Sequence, residues 1–469
     1  LHHPLFFYTN IAASHEYFFL KRLSLIFQGL KSKTCRIKIN FAGYYFIMKL
    51  NQSISRNNFR AFLWHAVFLA LATNFMDIDT VIPSMLVNAG GNAFHIGILT
   101  AIMLGGASFF QLLFSGFISK YPVKRKFLLS GINLRIFALL ALGFLLFYSE
   151  HIPGHWIIIL IFLFIFIFSV SGAFANVSYV DIIGKSMLQE KRKRFFTLKQ
   201  VISAIGIFLS AFLVRWILKQ YGYPLDYAVL FTGAGILLGI ASIGFWKIRE
   251  IPLTNSNSAG ILQLFKSIPA EMKSNRNLRN YIIFINSLGF GISLMPFLII
   301  FAKERLDLSG DIIGNFLLFR VIGMVIIGLI FYRLSKRFIY KHVLLTSIIL
   351  GGVIPVFALV LFYFPAYFQY LFLLTGVFFT TYKVATDGIL IEISEDNNRA
   401  FYAGIVGASN LSITIFPLLA GILINILGYN TIFIFTSCII LLSLFFLPYL
   451  DCTRKENNPV VSSPENPVV

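Results

Sequence analysis

From residue 60 onward the sequence returns repeatedly to apolar runs of eighteen residues or more, near 60–86, 96–118, 127–148, 155–180, 196–218, 227–247, 280–302, 311–333, 343–364, 367–391, 401–424 and 429–449. At 1.5 Å rise per residue, each is long enough to cross a hydrocarbon layer about 30 Å thick. Backbone polar groups find no water there, so runs of this kind must close their hydrogen bonds internally as helices. The fold expected is therefore an all-α polytopic membrane protein of about twelve transmembrane helices. Composition agrees: 58% of residues are hydrophobic and 12% charged, and a soluble domain built that way would expose large apolar patches.

The formal charge of +20 raises nucleic acid as a partner, but the basic residues are dispersed in short blocks between the apolar runs. KYPVKRK (120–126), KSMLQEKRKR (185–194), the segment 247–279 and RLSKRFIYKH (333–342) occupy alternate loops. The intervening loops LVNAGGN (86–92), SEHIPGH (149–155) and FPAYFQY (364–370) hold no Lys or Arg. Lys and Arg are retained on the cytoplasmic side. The expectation is a multi-pass protein of the bacterial plasma (inner) membrane with both termini cytoplasmic and no nucleic-acid role. Its environment is the lipid bilayer, and it is expected to act as a monomer.

The long connection 247–279 splits the runs six and six, giving an N-terminal bundle (48–246), a cytoplasmic linker (247–279), a C-terminal bundle (280–450) and a polar, disordered tail (451–469). Within the linker Ile261, Leu264, Phe265 and Ile268 recur at helical spacing, as in an amphipathic helix on a membrane surface. Residues 1–47 sustain no helical or strand period, and the basic lead after Met48 reads as the start, which makes 1–47 an upstream segment or tail. Cys35, Cys438 and Cys452 have no metal-like spacing, no HExxH-like pair of histidines occurs, and no metal or cofactor is expected.

The two bundles echo one another. Ile118-Ser119-Lys120 followed by Lys124-Arg125-Lys126-Phe127-Leu128-Leu129 has its counterpart in Leu334-Ser335-Lys336 followed by Tyr340-Lys341-His342-Val343-Leu344-Leu345. Thr80-Val81-Ile82-Pro83 answers Ser293-Leu294-Met295-Pro296. Tyr179-Val180-Asp181 answers Ala385-Thr386-Asp387, with Arg194 and Arg399 following 13 and 12 residues later. On these features residues 59–449 resemble the major facilitator superfamily, in a bacterial branch with an acid followed by TVxP late in the first helix. The superfamily's G-x-x-x-D-R-x-G-R-R loop is matched at Gly116, Lys124 and Arg125, but Lys120 and Lys336 stand at the acidic positions and Val123 at the second glycine. The helix-five Gly-Pro signature of exporters is absent, since Gly206 has no proline beside it.

The resemblance implies that helices one, four, seven and ten line a central cavity while two, five, eight and eleven flank it. Asp77 lies roughly 26 Å along the first run from Arg60, and a carboxylate at such depth is expensive unless it faces a wet or protein-lined interior. Two residues on a continuous helix are about 200° apart, so Asp77 and Asp79 are expected to face different directions. Asp77 and Asp79 are then the proton-coupling candidates, with Asp77 preferred for the cavity and Asp79 expected to cap the outer end or meet the other half. Arg320, roughly 14 Å into the eighth run, is a counter-charge for Asp77 or a site for an anionic cargo; Arg135 lies at similar depth on a scaffold helix. Gln111, Asn176 and Asn286 add amides to the cavity. Lys383 and Asp387, four residues apart, are expected to pair as an inner gate, and Lys124, Arg125, Asp181, Arg194 and Arg399 to form the latch of the basic loops.

The function expected is secondary active transport of a small solute by alternating access, coupled to H+, with efflux of a drug-like or organic compound preferred and cation-coupled import of a sugar or organic anion as the alternative. A membrane-embedded enzyme or sensor would need a convergent nucleophile, acid or metal set, and none stands out.

Overall fold

The computed structural model describes residues 50–118, 121–252, 261–304, 306, 308–334, 339–394, 402, 405–407 and 409–450. Within them the chain forms twelve long helices, and ten stretches are long and apolar enough to cross a membrane. Helix one is the broken span Gln52–Asn88, helix two covers 93–118, and helices three to six are Arg125–Phe147, Gly154–Ser186, Gln189–Gln220 and Leu225–Trp246. Helix seven is Arg276–Lys303, and helices eight to ten are Gly310–Leu334, Tyr340–Leu361 and Phe368–Ile393. Helices eleven (412–427) and twelve (429–442) turn over at Gly428, whose φ of 78° is accessible to glycine without a Cβ penalty. The linker helix Ile261–Ser274 packs Ile268 and Met272 against Leu278, Ile282, Tyr402 and Ile405. It is thus tied to the inner ends of helix seven and its neighbours.

The main apolar core runs through both bundles. On the side away from the basic loops, called here the far side, it joins Ile82, Met85 and Leu86 of helix one to Leu298, Ile299 and Phe301 of helix seven, and within the C-terminal bundle it extends to Val343, Leu344 and Ile389 toward the basic side. On the basic side there are two further, separate cores. One gathers Phe62, Leu128, Ile182, Phe195 and Phe245 in the N-terminal bundle, and the other gathers Leu278, Ile282 and Ile405 in the C-terminal bundle. Helices one and seven share the far-side packing while each of the two smaller basic-side cores stays within its own bundle, so the bundles are closed on the far side and parted on the basic side.

Small residues make that far-side closure possible. A Cβ on Gly97 would lie 2.4 Å from the Pro417 carbonyl oxygen, and one on Gly105 would lie 2.5 Å from the Thr414 Cα, so helices two and eleven meet backbone to backbone. Between them helix two widens into a π-helical turn over Ala101–Gly106. Gly310, opening helix eight, is pressed so closely on helix five that its Cβ would fall 1.5 Å from the Leu218 oxygen.

Helix one is not the continuous helix expected across 60–86. The α-helix Gln52–Thr73 tightens into a 3-10 turn at Asn74–Met76, Asp77 is extended (φ −66°, ψ 127°), and an α-helix resumes over Val81–Asn88. Local hydrogen bonding accounts for the interruption. One carboxylate oxygen of Asp77 accepts from the Asp79 N–H (3.1 Å), the Thr80 N–H (2.9 Å) and the Thr80 hydroxyl (2.8 Å), replacing the acceptors that an unbroken helix would supply. Pro83 falls in the first turn of the resumed helix, where its missing N–H costs nothing. Helix seven has a parallel turn at Met295–Pro296, which gives the repeated TVIP and SLMP segments a common structural meaning.

Candidate functional site

The break in helix one turns both of its acids toward one cation. Arg320 of helix eight donates from one terminal nitrogen to Asp77 and from the other to Asp79. All three side chains are buried, at 7%, 9% and 7% exposure respectively. The two acids therefore do not face apart, as a continuous helix would require; the extended residue between the helical segments removes the 100° per residue rotation on which that expectation rests. Asp77 also holds the turn that precedes the resumed helix, through the Asp79 and Thr80 N–H groups and the Thr80 hydroxyl, whereas the Asp79 carboxylate makes no such local bond among the described residues. In this conformation both terminal nitrogens of the Arg320 fork are engaged by the two acids. Phe379 of helix ten lies 5.4 Å from its guanidinium carbon, and Gly376 allows helix ten to lie directly on the Arg320 backbone.

This clasp joins the bundles across the closed far side. It holds two carboxylates against one guanidinium, so a fully ionised set keeps one negative charge in surplus. The bonding is unequal: Asp77 has three local donors besides Arg320, while Asp79 accepts only from Arg320 among the described residues. Two lesser contacts cross the same side. Lys303 donates to the Val87 carbonyl at 3.2 Å, and Lys219 faces Asp311 at 4.0 Å, both well exposed and hence of little energetic weight.

On the basic side the N-terminal bundle carries a second charged cluster. Asp181, at the end of helix four, bonds Lys124 and Lys185, each at 2.8 Å, and Lys185 also reaches Glu250 at 2.6 Å. The Glu250 carboxylate accepts the Lys124 and Arg125 backbone N–H groups at 2.7 and 2.6 Å, so it sits on the positive N-terminus of helix three. The Arg125 guanidinium donates to the Trp246 carbonyl. Lys124, Arg125 and Asp181 are thus brought together, and Lys185 and Glu250 complete what sequence reasoning missed. KSMLQEKRKR offered Lys185 only as one cation among several, and Glu250 lies more than 120 residues from the helix it caps.

The other expected positions fare differently. Gln111 and Asn176 are exposed on helices two and four and share a 3.3 Å hydrogen bond. Asn286 does not present its amide to the cavity: it donates to the Ile282 and Ser409 carbonyls and accepts from the Leu411 and Ser412 N–H groups, fastening the start of helix eleven. Lys383 and Asp387 are both exposed, and no ion pair within 4.0 Å links them. Water reaches both groups on the parted side, which removes the advantage of pairing. Arg194 is exposed beside Arg56, Arg60 and Lys191, and no described acid pairs with it; Arg399, Lys120 and Lys336 lie outside the described residues. Arg135 packs its guanidinium 4.1 Å over the Phe168 ring within the N-terminal bundle.

Residues 280–468 match the family model described as Major Facilitator Superfamily. No curated protein matches the sequence. Among solved structures, a POT family transporter in complex with a thioalcohol-conjugated peptide is 14% identical over 84% of this chain and 96% of its own, with a TM-score of 0.60. The nucleoside transporter NupG is 15% identical over 84% and 99%, with a TM-score of 0.59. A bacterial homolog of the human lysosomal transporter Spinster, inward-facing and unoccupied, is 12% identical over 85% and 96%, with a TM-score of 0.53. At these identities the likeness is one of fold.

Proposed function

We propose that this chain, whose residues 280–468 match the major facilitator superfamily model and whose fold is that of the transporters it resembles, is a proton-coupled secondary transporter of that superfamily. The basic loops lie in the cytoplasm of a bacterial cell, both termini are internal, and the two bundles rock to expose a central site alternately. The observation that carries the coupling is the far-side clasp of Asp77, Asp79 and Arg320. A contact between bundles that must break when the far side opens is the natural place for a coupling ion to act, and this one holds a surplus negative charge in a buried setting. Protonation of Asp79 removes that surplus and one of the two bonds to Arg320, while Asp77 keeps its three local hydrogen bonds in the turn of helix one. The coupling role thus moves from Asp77, the candidate preferred on helix geometry, to Asp79.

Spin labels at Tyr148→Cys and Tyr363→Cys, exposed far-side positions on opposite bundles, test this in lipid nanodiscs. Acidification should widen the label distance, and Asp79→Asn should make the distribution independent of pH. Retained pH dependence in Asp79→Asn would remove Asp79 from the coupling. Export of an organic solute in exchange for protons is the direction proposed. In proteoliposomes the sign of cargo-driven proton movement, read from a lumenal dye, separates export from cation-coupled import.

A further inference from the structure

The N-terminal bundle contains a cavity of about 120 Å³ that the clasp and the helix-three cluster do not use. It is bounded by His65 and Leu69 of helix one, Ile132 and Arg135 of helix three, Gly172, Asn176 and Tyr179 of helix four, and Lys199 of helix five. Its polar lining is cationic or uncharged, with no carboxylate among the bounding residues. His65 is 4% exposed and neither ring nitrogen has a hydrogen-bond partner; its faces are instead satisfied by Phe245, stacked at 4.1 Å between centroids, and Tyr179. Arg135 has its Nε buried and unbonded, and no described acid forms an ion pair with it. Lys199 meets the Tyr179 hydroxyl at 3.5 Å. Buried donors ordinarily find acceptors, and an orphaned pair of this kind asks for one.

We propose that this cavity receives the anionic group, a carboxylate or phosphate, of the transported solute, held by Arg135, His65 and Lys199, with the rest of the solute lying in the central cavity. The inference deepens the transport reading by assigning the cargo class, and rests on it for the word cargo alone. Size supports a head group rather than a whole molecule, because 120 Å³ accommodates only a few heavy atoms with their water. Access is provided by Asn176, which is exposed, and by half-buried Lys199. Arg135 supplies a planar donor fork suited to two oxygens of one anion, and Gly172 leaves the room for it, since a Cβ there would stand 3.3 Å from the guanidinium carbon.

Placement also links the site to the conformational cycle. Lys199 is half-buried on helix five and Lys383 is exposed on helix ten of the opposite bundle. Closing the basic side on an empty cavity would bring two cations together, whereas an anion beside Lys199 turns that repulsion into attraction. Arg320 is not available for this task, being held in the far-side clasp.

The test uses the full chain in nanodiscs and a matched pair of probes, benzoate and the neutral isostere benzamide, with binding read by saturation transfer from protein to the aromatic protons. Benzoate should bind in preference to benzamide, and Arg135→Gln and Lys199→Gln should each weaken benzoate by about tenfold or more, as expected for loss of one charge-assisted contact. Arg135→Lys should recover part of the loss, and Lys126→Gln, which removes a surface charge elsewhere, should change nothing. Displacement of benzoate by inorganic phosphate would extend the site to phosphate head groups; failure of phosphate to compete would limit it to carboxylates. Equal binding of benzamide, absence of benzoate binding, or full retention in both Gln variants would overturn the proposal. Equilibrium binding requires neither protons nor turnover, so these outcomes are separate from the fate of Asp79.

Discussion

Replacing Arg320 with Gln is the sharpest perturbation of the far-side clasp. The substitution removes two charge-assisted hydrogen bonds, about 1.5–3 kcal/mol each, and leaves two carboxylates facing one another in a buried site. Breaking one side of a buried ion pair costs about 3–5 kcal/mol. Since the clasp forms only when the far side is closed, that cost falls on the closed state, and at about 1.4 kcal/mol per factor of ten the closed-to-open ratio should fall by about two to three orders of magnitude. Ser293 provides the reporter. It is fully buried in the far-side portion of helix seven and its hydroxyl has no partner, so Ser293→Cys is a mild change that becomes reactive only when the far side opens. In a background lacking the native cysteines, labelling from outside by a membrane-impermeant maleimide should be slow in the parent and about a hundredfold faster, or limited by the reagent, in Arg320→Gln. A second variant, Asp77→Asn with Asp79→Asn and Arg320→Met, removes every charge and should bring labelling back toward the parent rate, because an uncharged replacement restores closure without a buried ion. Unchanged labelling in Arg320→Gln would refute the assignment of the clasp as the far-side lock.

Three further outcomes are expected. Gly310→Val places side-chain atoms where the Leu218 carbonyl stands, so helices five and eight can no longer close, and the Tyr148–Tyr363 label pair should report the wide distance at every pH. Glu250→Ala strips two backbone N–H groups and Lys185 of a carboxylate that is 2% exposed; it should destabilise the chain by about 3 kcal/mol, seen as loss of the monodisperse peak at lower temperature after heating in detergent. Lys383→Ala and Asp387→Ala should combine additively, with a coupling energy below about 0.5 kcal/mol in a double-mutant cycle of thermal stability, since no ion pair joins the two groups.

The apolar runs carried the twelve long helices and the membrane setting, because chain length in a hydrocarbon layer is a one-dimensional constraint that any local reading recovers. The depth of Asp77 and Arg320 marked them as partners for the same reason. Their geometry was another matter. A helical wheel assumes an unbroken helix, and the carboxylate of Asp77, by bonding the Asp79 and Thr80 N–H groups, abolishes the wheel at that spot. The motif D-x-D-T, with a proline three residues further on, was the available sign of the break. Asn286 and Glu250 spend their polar groups on backbone ends distant in sequence, and such debts appear only when the helices are assembled. His65 drew no notice in the sequence, since a lone histidine near the start of a long apolar run reads as core, and it is the missing partners rather than the residue type that single it out.

The π-helical turn of helix two has a consequence for how this surface tolerates change in chain length. Gly97 and Gly105 are eight residues apart, about 80° out of line on an ideal α-helix, yet both backbones abut helix eleven. The wider turn at Ala101–Gly106 absorbs the discrepancy in the manner of an inserted residue. Deleting a single residue within 101–104 would therefore restore a regular coil with Gly97 and Gly105 seven positions apart, within about 20° of one line, so both backbones would still abut helix eleven and Gln111 would still face Asn176. The same deletion beyond the wide turn, between 107 and 110, has no slack to draw on and would rotate the rest of the helix by about 100°, converting a loss of length into a loss of aim.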